Sequence, residues 1–241
     1  MNAPCYDLHA HIVPGVDDGP VTPAEALRMI EKLRKAMPKG SIVAATPHFS
    51  TKMAGLAARS RADKSYRFAE RVSDDSLYVI AAGELLLGMR KSGIHELVSY
   101  PGTRTVLVEF NHGTFWFSVL RRLSRLFAAG YRPLLAHAER YKWATAPRLR
   151  LLAGMGAGVS MSMRSFAIPR YARKAEWIVS SGMCHMVTSD CHSHRDMVLG
   201  DYAREKVERL CPGSWKTMAE ENPRMILEDG SLPPLGAGGR G

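Results

Sequence analysis

The sequence predicts an α/β domain with parallel strands, closed or nearly closed into a barrel of about seven strands, with a doubly wound open sheet as the alternative. Three observations predict it. Short β-rich runs alternate with helical patterns, which implies parallel pairing. The 241 residues fit a single α/β barrel. Nearly every predicted strand ends in a histidine or an acid, and the carboxyl ends of parallel barrel strands open on one shared face.

The first strand is Asp7-Leu8-His9-Ala10-His11. Thr22 caps a helix from Pro23 to Met37, with proline in the first turn where its missing N–H costs nothing. Strands follow at 41–46, 77–82 and 105–110, the last leading into a helix from Phe115 to Ala129 that stops at Gly130. Further strands run over 133–137 and 158–161. A helix from Ile168 to Ser181 stops at Gly182, and the last strand covers 184–190. One domain over residues 1–228 is expected, followed by a disordered Gly/Pro-rich tail, 229–241. The tail ends in a literal GxGxxG, but no strand precedes it and no helix can follow, so it is no dinucleotide site.

Composition narrows the classes. Hydrophobic residues make up 46% and charged residues 23%, an ordinary globular balance that sets aside disordered, collagen-like and coiled-coil chains. No apolar run is long enough to span a membrane, and the opening residues lack a signal-peptide pattern, so a cytoplasmic protein without membrane insertion is expected. Cys5, Cys184, Cys191 and Cys211 form no CxxC pair, which fits a reducing compartment. The net charge of +10 could attract nucleic acid, anionic lipid or phosphorylated substrates without choosing among them. Its densest cluster is Lys52, Arg59, Arg61, Lys64, Arg67 and Arg71.

The strand ends carry the chemistry. His9 and His11 are two apart, so strand alternation puts both on one face, where they could chelate one metal. The other ends read Thr46-Pro47-His48, Gly83-Glu84, Glu109-Phe110, His137-Ala138-Glu139-Arg140 and Ser189-Asp190-Cys191-His192. Imidazoles mixed with carboxylates and no cysteine pair suit Mn, Fe or Zn in a catalytic cluster, whereas structural zinc favours thiolates. Metals about 3.5–4 Å apart generate hydroxide at neutral pH and clamp both oxygens of a phosphoryl transfer. Glu84 or Glu109 could bridge two of them.

The runs DLHAHIVPGVDDGP, TPH, AAGE, VEF, AHAERY, SDCHS and ENPRMIL closely resemble the bacterial manganese-dependent protein-tyrosine phosphatases of the polymerase-and-histidinol-phosphatase (PHP) superfamily, associated with capsule and exopolysaccharide synthesis. The resemblance spans residues 5 to about 228. It implies a distorted seven-stranded β/α barrel of the PHP type, TIM-like, with a three-metal centre of Mn2+, or of Fe, Zn or Mg. One metal would be held by His9, His11, Glu84 and Asp190, a second by Glu84, Glu109 and His137, and a third by Asp18, His48 and His192. Arg140 would bind phosphate, since its planar fork can grip two oxygens. A second family arginine follows the final Asp-x-His, and Arg195 is the candidate, only three residues after His192. His48 and Asp190 are counted with these two arginines as catalytic. The implied substrate is a phosphotyrosine protein, an autophosphorylating tyrosine kinase of polysaccharide synthesis.

The expected reaction is in-line attack on phosphorus by a metal-bound hydroxide, with the cluster and Arg140 neutralising the equatorial oxygens. Cysteine-based tyrosine phosphatases need an arginine six positions after the nucleophile. Here those positions hold His11, Asp190, Met197 and Thr217. The alternatives are a small phosphomonoesterase like histidinol phosphatase, a nuclease using the same cluster, or a metal-stabilised regulatory module without activity. His95, His112, His185 and His194 lie off the implied metal positions, though His112 and His194 are close enough to it to contact substrate. Met161 and Met163 in VSMSMRS are read as packing.

Overall fold

The computed structural model describes residues 4–53, 55–88, 95–196 and 199–236. In chain order the elements are β1 (Tyr6–Ala10), α1 (Pro23–Ala36), β2 (Ser41–Ala45), β3 (His48–Ser50), α2 (Gly55–Val72), β4 (Leu77–Ala81) and β5 (Glu84–Leu86). Then come α3 (His95–Val98), β6 (Thr105–Glu109), α4 (Trp116–Ala128), β7 (Arg132–Leu135), α5 (Ala146–Gly154), β8 (Gly158–Ser162) and α6 (Pro169–Ser180). The chain ends through β9 (Met186–Thr188), α7 (Leu199–Leu210), α8 (Ser214–Lys216) and α9 (Asn222–Leu227). Short 3-10 turns cover Ala138–Arg140 and Met163–Ala167.

The result is an α/β fold with two parallel sheets, one ordered β1-β2-β4 and the other β3-β5-β6-β7-β8-β9. The sheets share chain direction, because β3 follows β2 after Thr46-Pro47 and β5 follows β4 after Ala82-Gly83. At the far edges the His11 N–H donates to the Cys191 carbonyl (2.9 Å) and the Asp190 N–H to the His9 carbonyl (2.8 Å). A single parallel bridge joins Ala10 to Cys191.

Local chemistry explains the helix expected at 23–37. The Thr22 hydroxyl accepts from the Glu25 N–H while the Glu25 carboxylate accepts from the Thr22 N–H, a reciprocal capping box. From its buried stripe, Met29, Ile30 and Leu33 pack in one cluster with Val43, Leu77 and Val79. A larger cluster lies under α4 to α7, and a third gathers Leu8, Ala44, Leu107, Leu134 and Met186 around Tyr100 and Ile226. Strand β6 shows how alternation aims the site: Val106 and Val108 face α4, whereas Leu107 faces the third cluster, so Glu109 shares the side of Leu107. Buried Tyr100 donates its hydroxyl to the Leu8 carbonyl (2.7 Å), pinning the root of β1.

Asp229–Gly236, the first part of the segment expected to be a tail, makes contacts at the amino ends of the strands. The Pro233 carbonyl accepts from His185 Nε2 (2.9 Å), the Gly236 N–H donates to the Gly182 carbonyl (3.0 Å), and Asp229 pairs with Arg132. Residues 237–241 lie outside the described residues. Of the basic cluster, Lys52, Arg59, Lys64, Arg67 and Arg71 are exposed, while Arg61 donates to the His48 carbonyl. No described helix is long and apolar enough to cross a membrane.

Candidate metal centre

Glu84, the first residue of β5 and almost wholly buried, is the hub of the site. Its Oε2 lies 3.3 Å from His9 Nε2, 3.3 Å from His11 Nε2 and 3.0 Å from His48 Nδ1, and its Oε1 accepts from His137 Nε2 at 2.9 Å. Glu109 stands 3.3 Å from His48 Nδ1 and 3.9 Å from His137 Nε2. Asp190 Oδ1 is 3.6 Å from His9 Nε2, and Asp18 Oδ1 is 3.3 Å from both His48 Nε2 and His192 Nε2. The structure therefore brings together His9, His11, Asp18, His48, Glu84, Glu109, His137, Asp190 and His192.

Backbone conformation aims two of them. Among the described residues only three other than glycine have positive φ, and His137 (φ 33°) and Asp190 (φ 52°) are two of them. That conformation costs about 1–3 kcal/mol at a residue with a Cβ and persists where the surroundings enforce it, commonly at functional sites. At His137 it ends strand alternation and turns the ring toward Glu84. Gly83 serves the same purpose by its size: a Cβ there would come within 2.6 Å of the Phe49 ring and 2.9 Å of Val98.

An outer layer fixes the rings. Asp17 is 2.7 Å from His11 Nδ1 and also accepts from the His48 and Gly19 backbone N–H groups. It therefore orients His11 so that Nε2 faces Glu84, the carboxylate support expected behind a metal-binding histidine. Tyr141 Oη sits 3.2 Å from His137 Nδ1 and accepts from the Phe110 N–H. Asp7 accepts from the Ser189 and His9 N–H groups, tying the ends of β1 and β9.

Electrostatics show a site short of positive charge. Burial disfavours a charged His11, yet hydrogen bonds to Asp17 and Glu84 outweigh it and raise its pKa to about 9. Burial also opposes charge on His48, but Glu109 and Glu84 bring it up to about 11. Burial pushes Glu84 upward, while the His9 charge and the hydrogen bonds of His11, His137 and His48 hold it well below the usual range. Asp190 is likewise pulled down against burial by His9 and Arg140. Protons on His11, His48 and His137 thus supply the charge the carboxylates demand.

Divalent cations fit these residues. The ligand atoms of His11, Asp18, His48 and His192 lie within 4.8 Å of one another, as do those of His9, His11 and Asp190, and of His48, Glu84 and Glu109. His9 Nε2 and His11 Nε2 face each other at 3.1 Å. Buried His9 Nδ1 has no hydrogen-bond partner, which native interiors rarely tolerate. The all-nitrogen-and-oxygen donor set suits Mn, Fe or Zn.

The three arginines differ. Arg140 pairs with the Asp190 carboxylate at the edge of the cluster and lies 5.9 Å from the centre of the Tyr171 ring, which stacks with His112. Arg195 is exposed, and the structure gives its side chain no contact with the cluster. Arg164, which sequence reasoning passed over, donates through Nη1 to His192 Nδ1 (2.9 Å) and to the Asp190 carbonyl (3.1 Å). The signal that could have found it is its place, directly after β8 at a strand's carboxyl end.

Fold and site together define a parallel α/β protein whose strand ends gather a histidine–carboxylate cluster that could hold metal. The chain belongs to the family described as capsular polysaccharide synthesis, CpsB/CapC, which matches residues 5–228. It is 25% identical over 243 residues to the tyrosine-protein phosphatase CpsB of Streptococcus agalactiae serotype V, covering 92% of this chain and 98% of that protein. It is 28% identical over 206 residues to the tyrosine-protein phosphatase YwqE of Bacillus subtilis, covering 78% and 77%. A solved chain, from work on YwqE of Bacillus subtilis and CpsB of Streptococcus pneumoniae as metal-dependent tyrosine phosphatases, superposes with a TM-score of 0.74 at 24% identity. That match covers 95% of this chain and 98% of that one, and shows a shared fold.

Proposed function

We propose that this protein is a metal-dependent protein-tyrosine phosphatase of capsular or exopolysaccharide synthesis, acting on an autophosphorylating tyrosine kinase. The observation that carries the reading is the convergence of five histidines and three further carboxylates around buried Glu84, with Arg140 at the rim. Mn2+ would be held by His9, His11, Glu84 and Asp190, by Glu84, Glu109 and His137, and by Asp18, His48 and His192, all of which converge around Glu84. The two sheets form one seven-stave barrel. Supporting this, β2 with β3 and β4 with β5 are consecutive segments, and backbone hydrogen bonds tie β1 to the end of β9. Residues 1–228 form the single domain, and free cysteines throughout the described residues fit the reducing cytoplasm.

Bound divalent cations lower the pKa of water and neutralise charge on the attacking and leaving oxygens of phosphoryl transfer. The chain's own residues do the rest. Arg140, held by Asp190, offers its fork to the equatorial phosphate oxygens. Asp17 and Tyr141 fix the rings of His11 and His137, so no reorientation is needed when substrate enters. His112 and Tyr171, stacked at 6.4 Å beside Arg140, give a phosphotyrosyl ring an aromatic wall that an alkyl phosphate could not use. A phenolate leaves with a pKa near 10, which lowers the demand for a general acid.

The test is to strip the protein of metal, reconstitute it with Mn, Mg, Zn or nothing, and assay a phosphotyrosine peptide, histidinol phosphate and single-stranded DNA side by side. Mn-stimulated phosphate release selective for the peptide is expected. Preference for histidinol phosphate or cleavage of DNA would overturn the substrate, and silence on all three would overturn the enzyme.

A further inference from the structure

Two guanidinium groups converge on Asp190, Arg140 on its carboxylate and Arg164 on its carbonyl. Arg164 is carried by the 3-10 turn Met163–Ala167, whose position is enforced from beneath. The buried Glu139 carboxylate accepts from the Ser165 hydroxyl (2.5 Å) and the Ser162 N–H (3.4 Å). From the other side, Arg164 Nε meets Asp196 Oδ1 at 3.3 Å, and Asp196 also accepts from the His192 and Ser193 N–H groups. The arginine therefore sits in a fixed frame between the turn and the His192 loop. Its side chain remains 27% exposed, and Nη2 stands outside all of these contacts.

The His192 ring gives this placement a consequence. A ring that offers Nε2 toward Asp18 as a ligand keeps its one proton on Nδ1, which then donates to the Asp190 carbonyl 2.9 Å away. Nδ1 can no longer accept from Arg164, so an Nη1 hydrogen is released while Asp196 and the Asp190 carbonyl still hold the guanidinium. A cation with free donors beside the cluster is a ready partner for an anionic oxygen.

We propose that Arg164 is the second arginine of the site, held by Asp196 and the Asp190 carbonyl and gripping a phosphoryl oxygen together with Arg140, while Arg195 takes no part. This rests on the phosphatase reading above. It assigns the role to a residue reached from β8 rather than from the segment after His192.

The test uses the full chain reconstituted with Mn, as wild type, Arg164→Ala, Arg164→Lys and Arg195→Ala. Inorganic phosphate binding is read by calorimetry, bound metal by mass spectrometry, and kcat and KM on a phosphotyrosine peptide. Arg195→Ala should match wild type within twofold in every readout. Arg164→Ala should bind phosphate at least tenfold more weakly, and Arg164→Lys should fall between, because a point charge remains while the fork is lost. Phosphate affinity within twofold of wild type in Arg164→Ala, or the loss appearing in Arg195→Ala, overturns the proposal. Should Arg164→Ala lose metal or fold, Arg164→Lys decides: with full metal, phosphate binding weakened more than threefold supports the role, and anything less overturns it. A wild type that binds phosphate but leaves the peptide intact would defeat the phosphatase reading alone, and one that binds no phosphate would defeat the arginine's role.

Discussion

Metal-free protein should lose stability as the pH rises from about 7 to about 8, and His11 sets the scale. The ring is fully buried between Asp17, 2.7 Å from Nδ1, and Glu84, 3.3 Å from Nε2, and its pKa rises from 6.5 to about 9. Within that interval the unfolded chain has mostly released this proton while the folded chain keeps it. Folding thus takes up nearly one proton, and stability falls by about 1.4 kcal/mol per pH unit for each such proton. His137 is raised too and adds in the same direction. His48 also adds, but it is a third exposed and its share is discounted for solvent screening. His192 and His185 are lowered, so they shift stability the opposite way, but they are mostly neutral even in the unfolded chain above pH 7 and offset the loss only slightly. A net loss of about 1–2 kcal/mol corresponds to roughly 2–8 °C in Tm for a chain of this size. Thermal melts in chelator at pH 7.0, 7.5 and 8.0 would measure it. Saturating Mn should reverse the slope, since ligation needs neutral imidazoles. A metal-free Tm that stays flat or climbs with pH would show that His11 is not held protonated by its carboxylates.

His137→Ala should abolish peptide dephosphorylation, by at least about a hundredfold, while circular dichroism stays native, because the ring closes the cluster from one side. Gly83→Ala should destabilise by about 1–3 kcal/mol in denaturant melts and lower metal content, since the new methyl meets Phe49 and displaces the adjoining Glu84. Tyr100→Phe should cost about 1 kcal/mol by removing the hydroxyl that serves the Leu8 carbonyl. Its kcat and KM should be unchanged, which a comparison of melts with steady-state assays would establish.

What the sequence revealed of the site depended on strand direction. His9, His48, Glu84, Glu109, His137 and Asp190 all stand at or just past a strand's carboxyl end, where one-dimensional order becomes a shared face. The short β3 and β5 were not legible, because Pro47 and Gly83 interrupt runs that resume for only three residues each. Helix α2 was visible only as a basic cluster, since its few buried positions are widely spaced. Asp17 was hidden beside Asp18: which of two adjacent acids turns inward depends on a loop through Gly15 at φ 66°, not on periodicity. Arg164 follows Met161 and Met163, which alternation reads as packing, and Met161 is indeed core. The arginine belongs to the turn that follows the strand, where the alternation rule no longer applies.

The most direct measurement is a titration of metal-stripped protein with Mn, following phosphate release from a phosphotyrosine peptide against equivalents bound. A cluster built around Glu84 predicts no activity without metal, more than one ion bound per chain, and turnover that appears only as the later equivalents fill. Hydrolysis by the stripped protein, or full activity with a single ion, would contradict the multinuclear centre on which the account stands.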